Sequence, residues 1–118
     1  MNIIFVGIGG AAGAILRYLI SLLPVKTVFP ILTFITNVIG AFAIGIIVAW
    51  AERHNVSDNI VLMLKTGLCG GFTTFSTFSL EAYNLVNSGK VAIGIVYALL
   101  SLVFCVLAVF LGRSVLAE

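Results

Sequence analysis

Charge is what this sequence most conspicuously lacks. Lys, Arg, Asp and Glu together make up 8% of its 118 residues, while 62% are hydrophobic. A water-soluble domain carries roughly 25% charged residues, and so short a chain cannot fold that much apolar surface away from water. Lipid is the solvent that fits. The connections between the apolar stretches are equally scant, at residues 24–30, 52–59 and 87–90. No soluble domain fits in such connections, which excludes an enzyme that needs a large aqueous site. The net charge of +2 is too small to argue for nucleic acid as a partner. No positively charged segment precedes the first apolar run, so that run is expected to be a retained span and not a cleaved signal. Cysteine occurs only at positions 69 and 105, both inside apolar sequence. They are expected as small core residues, not as a disulfide framework or a metal site.

Three apolar runs stand out: Ile3 to Leu23, Ile31 to Ala51 and Val91 to Leu111, each of 21 residues. About 20 helical residues cross a hydrocarbon core of about 30 Å. The first run holds one charge, Arg17, and the other two hold none. A fourth stretch, Ile60 to Val86, is apolar but carries Lys65, Glu81 and a polar centre. The expectation is an all-α membrane protein, a single transmembrane domain over 1–118. Its four transmembrane helices span about 3–23, 31–51, 60–86 and 91–111.

Four spans put both termini on one side. Arg53, Arg113 and Lys65 lie towards that side, and Lys26, Lys90 and Arg17 towards the other. An excess of Lys and Arg in cytoplasmic loops normally sets orientation, and here there is none. Either a partner resolves the orientation, or copies insert both ways and pair antiparallel. The even charge tally favours the second reading. A solute pathway in so thin a bundle would also leave polar groups facing lipid. A homodimer is the simplest closed solution.

Small residues recur four apart at Gly9 and Gly13, Ala41 and Gly45, and Gly94 and Ala98, a spacing that lets helix backbones approach closely in lipid. Polar residues also fall in stripes. Thr33 and Asn37 share one face of the second span, and Tyr97, Ser101 and Cys105 one face of the fourth. A mid-membrane Asn must find partners, either across a helix interface or in a wet pathway. Two stripes on separate helices favour the pathway.

The third stretch is 27 residues long, about 40 Å as one helix at 1.5 Å per residue, longer than the bilayer core. At its centre stands GGFTTFSTFS, residues 70–79. Paired glycines weaken a helix, and Thr and Ser hydroxyls bond to nearby backbone. A third helix broken at mid-membrane, near 70–75, is therefore expected. Backbone freed at that depth is tolerated only inside protein or lining a cavity, and such breaks recur at ion sites in transporters. Beyond it Phe75 and Phe78 lie three apart, and Thr77 and Glu81 four apart. Aromatic ring edges carry positive charge, and with hydroxyls they can replace the water around a small anion.

These segments resemble the Fluc family of fluoride channels, also called CrcB. GGAAGAILRY at 9–18 is similar to the family's first-helix pattern, TFITNVIG at 33–40 to its second, and GLCGGFTTFSTFSLE at 67–81 to its most diagnostic segment. The resemblance spans nearly the whole chain. It implies an antiparallel, dual-topology homodimer with two fluoride pores in the cell's inner (plasma) membrane, exporting fluoride passively. By that resemblance Phe75 and Phe78 turn their ring edges to fluoride and Asn37 is a pore amide donor. Ser76, Thr77 and Ser79 belong to a hydroxyl track, Tyr97 and Ser101 are polar positions of the fourth helix, and Arg17 lends positive charge to an aqueous vestibule. Backbone carbonyls of Gly70 and Thr73 from two subunits would hold a central sodium ion. Where the family often has a further hydroxyl, this chain has Cys105, and a thiol is a weaker donor. Two rivals fit less well. A small multidrug exporter needs a carboxylate in its first span, and here Glu81 in the third is the only candidate. A non-transporting bundle would leave the polar stripes unexplained.

Overall fold

A computed structural model describes residues 2–116. Met1, Ala117 and Glu118, the ends of the domain expected over 1–118, lie outside the described residues. All regular structure among the described residues is helical: α1 (Asn2–Ser21), α2 (Ile31–His54), α3 (Asp58–Val61), a π-helical stretch (Leu62–Cys69), α4 (Gly70–Phe72), α5 (Phe75–Asn87) and α6 (Val91–Val115). Three of these, α1, α2 and α6, are long and apolar enough to cross a membrane. Residues 58–72 form a continuous helical arm, and α5 forms a second arm after a gap of two residues.

Helix ends follow local chemistry. Polar residues Glu52, Arg53 and His54 extend α2 by a turn beyond its apolar run. Asn55 then closes the helix in the left-handed region (φ 50°), its N–H bonded to the Ala51 carbonyl, a conformation Asn tolerates well. The turn from α5 to α6 needs positive φ at Gly89 (88°), while Lys90 N–H returns to the Leu85 carbonyl at 2.8 Å.

The helices pair as α1 with the 58–72 arm, α2 with α6, and α5 with α6. Glycine backbones make the first two contacts. A Cβ on Gly9 would stand 2.1 Å from the Met63 carbonyl oxygen, and one on Gly13 2.2 Å from that of Leu68. On the other pair, a Cβ on Gly112 would meet the Phe42 carbonyl oxygen at 2.2 Å. Dispersion between closely packed backbones replaces the hydrophobic effect, which gives helices no reason to associate in lipid.

The interior is correspondingly unusual for a folded chain. Among the described residues Tyr97 is the one large side chain that is fully buried, whereas Leu19, Leu102, Phe110 and many other apolar residues face outwards. That is the reverse of a water-soluble core. The molecule measures 49 × 31 × 21 Å, a slab one or two helices thick.

Candidate functional site

The gap between the two arms is where the polar stripes converge. Thr73 (ψ 158°) and Thr74 (φ −148°, ψ 117°) are extended, and the helix resumes at Phe75. Gly70 and Gly71, the residues expected to weaken the helix, are themselves helical. Thr73 and Thr74 hold the extended turn through their hydroxyls. Thr73 Oγ1 donates to the Cys69 carbonyl at 2.9 Å. Thr74 Oγ1 accepts from Thr77 N–H at 3.0 Å, which caps α5.

Side chains from α1 and α2 satisfy what the gap leaves over. Asn37 Oδ1 accepts from Thr74 N–H at 2.8 Å, and its Nδ2 donates to the Thr74 carbonyl at 3.1 Å. Both backbone groups of one non-helical residue are thus paired by a single amide, as buried backbone requires. Arg17 Nε donates to the Gly71 carbonyl at 3.2 Å, near the C-terminal end of the first arm. A cation there faces the negative end of the helix dipole.

Beside the gap lies a cleft of about 660 Å³. Asn37, Gly70, Thr73, Phe75, Phe78 and Ser101 all line it, together with Cys69, Cys105 and Lys65. Ser76, Thr77, Ser79, Tyr97 and Arg17 are not in its lining. Ser79 Oγ instead donates to the Phe75 carbonyl one turn back, the usual recourse of a helical serine in an apolar setting. Ser101 does not do this. It is 7% exposed, and its hydroxyl has no partner. A buried unpaired hydroxyl costs about 1–3 kcal/mol and is open to a ligand that accepts hydrogen bonds.

Aromatic rings lead away from the cleft. Phe75 and Phe78 have centroids 5.6 Å apart, Phe78 and Tyr97 5.0 Å, and Tyr97 meets Phe29 edge-on at 5.2 Å. Tyr97 therefore joins the site through Phe78. Its hydroxyl donates to Glu81 Oε1 at 2.9 Å, and Thr33 Oγ1 donates to Glu81 Oε2 at 3.0 Å. Glu81 thus ties α2, α5 and α6 together. Its four-residue spacing from Thr77 was visible in the sequence, but its partners, 48 residues before it and 16 after it, were not. Thr33 and Glu81 also line a second cleft, of about 560 Å³, below the loop at residues 25–30.

The family model for CrcB-like proteins (Camphor Resistance, CrcB) matches residues 4–113, which is nearly the whole chain. The chain belongs to the CrcB family. Among curated relatives, a protein of Azobacteroides pseudotrichonymphae named "Fluoride-specific ion channel FluC" is 41% identical over 94% of this chain and 92% of its own. One of Ruminiclostridium cellulolyticum with the same name is 46% identical over 96% and 90%. Another, of Roseiflexus sp., is 45% identical over 98% and 96%.

Proposed function

We propose that this CrcB protein is a fluoride-selective ion channel that lets fluoride leave the cell passively. The observation that carries the reading is the cleft: an unpartnered buried Ser101 hydroxyl and the rings of Phe75 and Phe78 face one space beside Asn37. Fluoride is small and strongly hydrated, and it crosses only if donors of comparable strength replace its water. A hydroxyl, an amide and positive ring edges supply them. A narrow site disfavours chloride by size. A negative-inside potential drives the anion out, with about 2.3 kcal/mol per charge per 100 mV, so no energy-coupling motif is required. The names of the relatives support the same reading.

The working unit in this reading is an antiparallel homodimer of dual topology in the inner (plasma) membrane, with two pores. Phe75, at 81% exposure, and the cleft beside it are the surface a second copy covers. The third span is broken at mid-membrane, its two arms meeting at Thr73 and Thr74. Ser76, Thr77 and Ser79 extend the donor track along α5, Tyr97 and Ser101 form the track on α6, and Arg17 contributes positive charge to an aqueous vestibule.

Gly70 and Thr73 fit a structural sodium ion at the dimer axis. Both line the cleft, and a Cβ on Gly70 would meet nothing nearer than the Lys65 carbonyl oxygen at 3.9 Å, so that position is open to approach. Carbonyls where a helical arm ends at depth carry the negative end of its dipole. Such an ion would supply charge that holds the two arms' ends together; the protein's part is to present the oxygens.

Asn37→Asp should slow fluoride flux. It removes the donor to the Thr74 carbonyl and sets a negative charge beside the path. Expression of this chain in a fluoride-sensitive strain should restore growth in fluoride, and Asn37→Asp should restore less. A strain left fully sensitive by well-expressed wild-type protein would contradict the proposed function, and a variant as protective as wild type would confine Asn37 to packing.

A further inference from the structure

We infer that Lys26 and Lys90 form a cationic mouth that gathers fluoride at the second cleft, the one floored by Glu81. The inference rests on the channel reading and adds the residues that recruit the ion at this end of the path. The two lysines are distant in sequence, one in the loop before α2 and one at the start of α6, yet both line the cleft with Thr33, Glu81, Asn84 and Ser88. From the floor of this cleft, the Glu81 carboxyl reaches Tyr97 and through it Phe78, which lines the other cleft. The second cleft therefore abuts the far end of the aromatic series.

A carboxyl at that point is a barrier to an arriving anion unless something offsets its charge. Lys26 and Lys90 are the other charged residues lining the cleft, and they reverse its sign. Among the described residues the one ion pair joins Arg113 and Glu52, so neither lysine is neutralised by a close carboxylate. Lys90 also stands at the N-cap of α6, where a cation opposes the helix dipole. Helix stability does not account for a lysine there, whereas recruitment of an anion does. In an antiparallel dimer each face of the membrane would carry one such mouth.

Attraction of this kind acts at a distance and is screened by salt, unlike a packing role. The test compares initial fluoride efflux of wild type, K26Q/K90Q and K26R/K90R in phosphatidylcholine vesicles, at about 10 mM and about 1 M ionic strength, where the Debye length falls from about 30 Å to about 3 Å. The expected result is a loss of about threefold to tenfold in K26Q/K90Q at low ionic strength. At high ionic strength that variant should match wild type, and K26R/K90R should behave as wild type throughout. Equal efflux from K26Q/K90Q and wild type at low ionic strength would overturn the inference and leave the channel standing. So would a loss of the same size at both ionic strengths. Wild-type vesicles that release no fluoride would overturn the channel reading itself, and the mouth with it.

Discussion

Phe75→Ile and Phe78→Ile should each cut fluoride efflux by at least about tenfold, equivalent to about 1.4 kcal/mol on the barrier, with the fold and the oligomeric state unchanged. Isoleucine keeps the apolar bulk but has no ring quadrupole and so no positive edge. The two rings share the cleft with Asn37 and Ser101, and Phe78 alone continues to Tyr97, at 5.0 Å. Phe78→Ile breaks the series of rings in its middle, so its effect should be the larger. Phe75 is mostly exposed in one copy, and its replacement should leave the monomer fold untouched. Efflux from vesicles, with the oligomer checked by size-exclusion chromatography, separates the two effects. Unchanged efflux in both variants would remove the ring edges from the mechanism.

Gly13→Ala should be strongly destabilising for the addition of a single methyl group. Its Cβ would lie 2.2 Å from the Leu68 carbonyl oxygen and 2.7 Å from the Phe72 nitrogen. Both are backbone atoms, which have no rotamer by which to move aside. The two helices must separate, and overpacking of this kind costs about 1–3 kcal/mol and occasionally more. Separation also pulls Arg17, one turn further on, away from the Gly71 carbonyl, loosening the gap from one side. Gly7→Ala is the control: a Cβ there meets nothing within 4 Å, and alanine in a helix is favoured over glycine by roughly 0.5–1 kcal/mol. Thermal unfolding in detergent should show a clear fall for the first variant and none for the second. Equal melting would mean that α1 is not held by close backbone contact.

Much of this could be read in the sequence, because lipid imposes simple rules. Apolar runs of membrane length stand out against 8% charge, and Gly9 and Gly13 announce close packing by spacing alone. Which helix they pack against could not be read. Gly67 and Gly71 answer them from the third stretch with the same spacing, but periodicity along one helix carries no information about its neighbour. The π-helical turn over Leu62–Cys69 has no compositional signature. Asn37 was legible as a polar residue in need of partners, though not that both of its bonds go to the backbone of one residue 37 positions on. The gap itself falls on threonines because their hydroxyls replace lost helical bonds, while Gly70 and Gly71 stay helical and Gly71 lets α1 come close. Glu81 remained without a role in the sequence because its meaning lies in Thr33 and Tyr97, brought to it from two other helices.

The central claim is selective passage of fluoride. The most direct measurement is efflux from liposomes holding the purified protein, read with a fluoride electrode while chloride is followed in parallel. Rapid release of fluoride with little release of chloride is the expected result. Well-folded protein that releases neither ion, or both at the same rate, would contradict it.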